Sequence, residues 1–250
     1  MMLAVLPPST AIHAEPDSAS GRETDALHGE NITLLEEFGA WARIILETDG
    51  YEGWVKTDDI GELPTASHRV IAPRGLVTTT ADIKSPALDY RPMGARLCVV
   101  DQSGEMAEIS LPNGVSGFIP HKQITPLESH VDDWVSVAES LSGTPYRWGG
   151  RDTIGIDCSA LVQLALAAVG YHAPRNSGDQ QRSLGRTISS DENLERGDLV
   201  FWKGHVGVMR DNTTLLHANM FHTMTASEPL LTAIDRLQSM GLPVTRIARL

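Results

Sequence analysis

Two stretches of this chain, 64 residues apart, end alike. "YEGWVKTDDI" (51–60) and "VSGFIPHKQI" (115–124) each run Gly, aromatic, aliphatic, one further residue and a short polar stretch before an Ile. That period is too long for a solenoid repeat, and two small β-barrels in tandem fit it better. The residues between agree. "NITLLEEFGAWARIIL", "HRVIAPRGLVTTT" and "GARLCVVDQSGEMAEISL" are short apolar runs divided by turn residues such as Asp49-Gly50, a strand pattern.

From residue 131 the period changes. "VDDWVSVAESLSG" has helical spacing and stops at Gly143, and "DCSALVQLALAAVG" is a second helix with Gly170 as its C-terminal cap. "GDLVFWKG", "HVGVMRD" and "TLLHANM" read as three antiparallel strands. "EPLLTAIDRLQSMG" reads as a last helix before a short strand, "VTRIARL". The expected fold is multidomain: all-β barrels over 1–64 and 65–127, then an α+β domain over 128–250 with a central antiparallel sheet.

With 41% hydrophobic and 21% charged residues, the composition is that of a globular protein. The net charge of −12, concentrated before residue 131, excludes a nucleic-acid partner, because phosphate binding needs a basic surface. No run reaches membrane-helix length, so no membrane partner is expected. "MMLAVLPPSTAIHAEPD" lacks the basic start of a signal peptide, and Pro7 and Pro8 interrupt its apolar run, so a cytoplasmic location is expected. Its first 20 residues either are partly disordered or begin the first barrel. Two cysteines make no disulfide framework. Cys98, in "RLCVV", reads as a buried inert thiol.

Cys158 is different, because it opens a helix. Unpaired backbone N–H groups and the helix dipole there favour a thiolate, the nucleophilic form. Asp157 opposes this with its own charge and doubles as an N-cap. A nucleophile needs a base. His205 and His217 flank the turn "RDNT", and a hairpin centred on Asp211 sets them face to face. A lone strand histidine is usually structural; the helix-start cysteine makes this pair a catalytic candidate. His222 is the alternative third residue, but it lies beyond the strand. The chain has no CxxC or HExxH spacing, so neither metal nor other cofactor is expected.

The ordered set "TPYRWGG", "IDCSALV", "GDLVFW", "GHVGV" and "LLHAN" resembles the NlpC/p60 family of cysteine peptidases, across roughly residues 131–250. The resemblance implies a papain-like core with Cys158 as nucleophile, His205 as base and His217 as the orienting residue. The Cys158 N–H would help hold the oxyanion. "ALHGE" followed by "DGYEGWV" looks like the first of two bacterial SH3 domains that one subgroup attaches to this peptidase. That subgroup cleaves γ-D-glutamyl–diamino acid bonds in murein peptides. By the resemblance, Glu30, Tyr51 and Asp157 form an anionic pocket for the free amine of an N-terminal L-alanine. Tyr146 and Trp148 wall the site, with core packing as their other reading, and Ser159 and Ser177 bond substrate. Arg151, Arg175 and Arg182 are candidates for a substrate carboxylate.

The expected activity is release of L-Ala-D-Glu from murein tripeptides or tetrapeptides carrying meso-diaminopimelate or L-Lys, in wall-peptide recycling, by a monomer. The alternative is an exported peptidoglycan hydrolase or amidase acting on wall-attached stems, with the barrels as wall-binding modules.

Overall fold

The two similar stretches fold into the same run of elements. In the computed structural model, which describes residues 2–102, 104–189 and 192–250, Glu52–Lys56 and Ser116–Pro120 are both strands. A single 3-10 turn follows each, Thr57–Asp59 or His121–Gln123. A further strand then starts at Ile60 or Ile124. In both, the Gly and the aliphatic residue are buried and the aromatic residue is half-buried. The glycines recur for steric reasons. A Cβ on Gly53 would lie 2.5 Å from Ile12 Cγ2, and one on Gly117 would lie 2.6 Å from Val77 Cγ1.

The chain divides into two units. The N-terminal unit takes in the chain up to Ser129 together with Arg151–Thr153. It holds both strand cycles, each with its own core. Val5, Ile12, Ala26, Ile44 and Val55 pack in the first, and Val70, Val77, Leu97, Ile109 and Ile119 in the second. The start of the chain belongs to the first cycle, since Met2–Val5 pairs antiparallel with Ile60–Leu63. The cycles meet at the "HGE" stretch. The His28 carbonyl accepts the Arg96 N–H at 2.8 Å. Gly29 has φ +72°, and a Cβ there would fall 2.1 Å from the Arg96 carbonyl oxygen, so only glycine fits. The structure corrects one expectation here. Cys98 is half-buried, because in Arg96–Asp101 the alternation gives the core position to Leu97.

The C-terminal unit takes in His130–Gly150 and Ile154–Leu250. Its sheet has six antiparallel strands in the order Arg186–Thr187, Val244–Arg249, Leu199–Trp202, His205–Met209, Thr214–Asn219, Met224–Pro229. Among the described residues four helices accompany it: α1 (Trp134–Ser140), α2 (Cys158–Ala167), α3 (Ser177–Ser183) and α4 (Leu230–Ser239). The helix α2 is buried from Cys158 to Leu166 and packs on α1 and on the strands His205–Met209 and Thr214–Asn219. It is apolar except for Ser159 and Gln163, which are buried and hydrogen-bonded, because protein surrounds it over this span. Beyond it Gly170 takes φ +77°, with the Tyr171 N–H returning to the Leu166 carbonyl, the expected left-handed stop. The strands Arg186–Thr187 and Met224–Pro229 and the helix α3 were not foreseen from sequence. No helix of the described residues is long and apolar enough to cross a membrane.

Candidate active site

Cys158 is the first residue of α2, and the Asp157 side chain caps the helix by accepting the Ala160 N–H at 2.8 Å. The loop before it is held in register by backbone bonds. The Tyr146 N–H donates to Thr223, the Ile156 N–H to Pro145 and the Asp157 N–H to Gly150. The two glycines of "WGG" have separate duties. Gly149 takes φ +70° and donates its N–H to Asp157 Oδ2 at 3.1 Å. Gly150 lies so close to Gly155 that a Cβ would sit 2.1 Å from the Gly155 oxygen.

The Cys158 thiol is buried. Burial first, and the Asp157 charge second, push it up to about 12, against the pull of the Val206 N–H and of Arg175. The dipole argument alone had favoured a thiolate; desolvation outweighs it. His205 precedes Val206 and opens its strand. Burial, then the neighbouring His217, pull His205 down to about 3. The resting groups are therefore thiol and neutral imidazole, and a proton must move for the sulfur to attack.

His205 Nε2 lies 2.8 Å from His217 Nδ1. The two rings meet, but not directly across the hairpin. Val208 pairs with Leu216 and Met209 with Leu215, so His217 stands opposite Gly207 and reaches His205 diagonally. The hairpin is thus centred on Asn212, one residue beyond Asp211, which shifts the pairing by two residues. Asp211 Oδ1 accepts the N–H groups of Thr213 and Thr214, and the Arg210 N–H closes on the Thr214 carbonyl. Gly207 leaves room for the diagonal, since a Cβ there would lie 3.2 Å from His217 Cβ.

A cleft of about 370 Å³ opens beside the histidines, lined by Tyr146, Asn219, Met220, Phe221, Leu237 and Met240 among others. Burial and the nearby thiol raise Tyr146 to about 12, so it stays a neutral phenol. Trp148 is 68% exposed, which removes the reading of it as a core aromatic. Ser159 is buried. Its hydroxyl donates to Asp157 Oδ1 at 3.0 Å and accepts from Arg175 at 2.8 Å. Ser177 opens α3.

The three arginines marked for a substrate carboxylate each meet one of the chain's own. Arg175 binds both Asp157 oxygens at 3.0 and 2.6 Å. Arg182 pairs with Asp179. Within the N-terminal unit, Arg151 binds both Glu30 oxygens at 2.9 and 3.0 Å. Glu30 also accepts the Leu27 N–H at 2.7 Å. Burial would raise the Glu30 carboxyl, but Arg151 wins and holds it below the usual carboxylate range. Tyr51, in the same unit, is half-buried against the first core. Neither acid is thus an unpaired charge: each carboxylate already holds an arginine on both oxygens. Asp157 keeps 10% of its side-chain surface and Glu30 3%.

Sequence reasoning missed Glu228 and Arg236. His217 Nε2 lies 2.8 Å from Glu228 Oε1, and Arg236 grips both oxygens of the same carboxylate at 2.6 and 2.5 Å. Glu228 had been assigned to the start of the last helix, but that helix begins only at Leu230. His217, His222 and Glu228 bring donor atoms within 4.8 Å of one another. The guanidinium already on both Glu228 oxygens opposes a dication at that point.

A cysteine at the start of a buried helix that packs on the strand opened by His205, itself bonded to a second histidine, is the arrangement of a cysteine peptidase. Comparison with known proteins agrees. Residues 143–234 match the NlpC/P60 family, and residues 12–60 match the bacterial dipeptidyl-peptidase SH3 domain. The chain is 25% identical over 232 residues to a gamma-D-glutamyl-L-lysine dipeptidyl-peptidase of Bacillus cereus, covering 80% of this chain and 68% of that one. It is 34% identical over 114 residues to a probable endopeptidase NlpC of Escherichia coli, 40% of this chain and 73% of that one. A crystal structure of an NlpC/P60 family protein from Bacillus cereus superposes with a TM-score of 0.85 at 19% identity, covering 99% of both chains, and shows the same fold. The chain belongs to the NlpC/P60 family.

Proposed function

We propose that this peptidase hydrolyses the γ-D-glutamyl–diamino acid bond of free murein peptides and releases L-Ala-D-Glu. The observation that carries this reading is the pairing, on one chain, of an NlpC/P60 domain with an SH3 domain of the dipeptidyl-peptidase type. Relatives named gamma-D-glutamyl-L-lysine dipeptidyl-peptidase align over 80% and 78% of this chain. A second SH3-like barrel over 65–127 is supported by the shared strand, turn and strand that close both cycles. A papain-like core over 128–250 is supported by the buried helix on the antiparallel sheet.

In this reading Cys158 attacks the γ-carbonyl as His205 takes the thiol proton. That proton then passes to the departing amine of the diamino acid, leaving an acyl-enzyme that water hydrolyses. The Cys158 N–H, free at the helix start, faces the oxyanion. Asp157 receives the substrate ammonium on its remaining open surface, with Glu30 and Tyr51 contributing from the SH3 domain. Ser159 supports Asp157, Ser177 bonds the peptide, and Tyr146 and Trp148 flank it. A free substrate amine and a recycling role suit a cytoplasmic enzyme that works as a monomer.

The test is mass spectrometry of L-Ala-γ-D-Glu-diaminopimelate and its lysine counterpart, free and N-acetylated, with native protein and Cys158→Ala. Release of L-Ala-D-Glu from the free peptides by native protein alone is the expected result. Equal cleavage of the acetylated forms would refute amine recognition. It would favour the second reading, a hydrolase of wall-attached stems, which draws on the 34% identity to a probable NlpC endopeptidase over the catalytic domain.

A further inference from the structure

We propose that Glu228 is a positioning residue that sets the direction of the histidine chain, so that the ring nitrogen of His205 left for the thiol is a base. The proposal rests on the reading of Cys158, His205 and His217 as the hydrolytic set.

The geometry is a diagonal line across three strands. His217 pairs with Ala226 and Leu215 with Glu228, so Glu228 lies on the same face as His217's partner and two residues further along. His205 Nε2 meets His217 Nδ1 at 2.8 Å, and His217 Nε2 meets Glu228 Oε1 at 2.8 Å. Every ring nitrogen in the line is thereby assigned except His205 Nδ1.

Proton counting does the rest. A neutral imidazole carries one N–H. Two imidazoles in a row can be wired in either sense, and nothing within the pair chooses between them. Glu228 chooses. Arg236 occupies both of its oxygens, and although burial would raise the carboxyl, Arg236 and His217 bring it down to about 2. An ionised carboxylate only accepts, so His217 Nε2 must bear the proton. His217 Nδ1 is then a lone pair, and His205 Nε2 must donate to it. His205 Nδ1 is left with a lone pair and can take the thiol proton. In the reverse wiring His205 Nδ1 carries a hydrogen and no base is available. Burial keeps His217 neutral, at about 4, so the argument applies at working pH.

The other groups around Glu228 agree with this role. Arg236 reaches it from α4 and is itself seated 4.0 Å from the Phe221 ring centroid. His222 Nε2 stands 3.2 Å from Glu228 Oε1 at the end of the line, beyond the His205 contact. When His205 becomes imidazolium during attack, its charge lies two hydrogen bonds from a fixed carboxylate.

The experiment is long-range ¹H–¹⁵N correlation spectroscopy of ¹⁵N-histidine protein at pH 7.5, native, Glu228→Gln and Arg236→Met. It is run together with the iodoacetamide alkylation rate of Cys158, read on its own peptide so that Cys98 is excluded. Neither readout needs the substrate, so the proposal and the peptide specificity fail separately. Native protein is expected to show both histidines as Nε2–H tautomers. Glu228→Gln can donate as well as accept, so it should give mixed tautomers and alkylation slower by about 10- to 100-fold, because loss of tautomer control is costly in such sites. Arg236→Met keeps the carboxylate and should keep the native tautomers. If Glu228→Gln does not fold, Glu228→Asp, which restores the acceptor, takes its place and should retain the native tautomers. An Nδ1–H tautomer of His217 in native protein, or of His217 in folded Glu228→Asp, would overturn the proposal, as would unchanged tautomers in Glu228→Gln.

Discussion

Replacing Arg151 by Met should open the N-terminal unit around Thr24–Leu27. Arg151 and Glu30 are 2% and 3% exposed and form two hydrogen bonds at 2.9 and 3.0 Å. With charge centres about 4 Å apart, their attraction is about 4 kcal/mol at the effective dielectric that suits protein sites. Removing one partner leaves the other buried and charged, which costs about 3–5 kcal/mol. The two removals are unequal. Without Glu30, Arg151 still donates to the Asp25 carbonyl at 2.9 Å and still feels the Asp49 and Asp25 charges. Without Arg151, Glu30 loses its only cationic partner among these contacts. Arg151→Met should therefore cost more than Glu30→Gln.

The pH dependence sharpens this. In the native unit Arg151 depresses the Glu30 carboxyl, so its contribution to stability is present above the ordinary carboxylate range and lost as pH falls through the folded value. In Arg151→Met burial is the largest influence left, and it raises the carboxyl against the weaker downward pull of the Leu27 N–H and Thr48. Stability is then lost as pH rises through that raised value, and the deficit against native protein grows from pH 5 to pH 8. The double variant Glu30→Gln/Arg151→Met has no such slope. Amide hydrogen exchange of peptides spanning Thr24–Leu27 reads the local opening. About 4 kcal/mol corresponds to roughly three orders of magnitude in protection. A change under tenfold at pH 7.5, or an equal deficit at pH 5 and pH 8, would refute the reasoning. The same Glu30→Gln protein, assayed for KM on a free-amine peptide, separates a substrate contact from a structural one.

Acid should destabilise both units before their carboxylates titrate. His28 is held down to about 4 by burial and then by Arg91; burial likewise lowers His217 to about 4 and His205 to about 3. Depressed folded values mean stability that is full above pH 6.5 and lost as pH falls toward 4, at roughly 3 kcal/mol for each group. Calorimetry from pH 7.5 to 4 should show a falling Tm in native protein, and a flat Tm would contradict it. Gly207→Ala should lower kcat about tenfold with little loss of stability. Its Cβ would stand 2.8 Å from Leu215 Cδ1, which can yield, and 3.2 Å from His217 Cβ, which moves the ring off its diagonal. An unchanged kcat in the folded variant would show that the diagonal does not need that space.

The helix opened by Cys158 was legible because its start and stop are local: Asp157 caps it and Gly170 ends it. The His205 and His217 strands were legible from apolar runs on either side of a polar turn. Their register was not, because it depends on how Asp211 bonds the backbone of Thr213 and Thr214, a turn detail that composition does not carry. Glu228 was hidden because "MTASEP" lacks clear alternation and abuts a helical pattern. The arginine partners were hidden for another reason. Arg151 was visible as a loop residue, but its partner Glu30 is 121 positions away, and a single chain offers no local cue to a contact of that range. The closing similarity of the two strand cycles was legible because it is steric, a glycine under a packed side chain in each.

Asp157 carries the tension at the centre of the site. It sits beside the nucleophile and raises it, which works against thiolate formation. Yet its two oxygens accept from the Gly149 N–H, the Ala160 N–H, the Ser159 hydroxyl and Arg175. One carboxylate thereby ties the glycine loop, the first turn of α2 and the segment before α3. Asn at this position could cap the helix, but its amide would set a donor where one of these donors now points. Arg175 offsets the charge it accompanies and also draws the thiol downward, so the pair costs the nucleophile less than Asp157 alone would. Under the proposed function, an approaching ammonium would meet a carboxylate of fixed orientation, part of whose surface is still open, with no cost of ordering it. The acid beside the cysteine is therefore the joint that positions Cys158 at the head of α2.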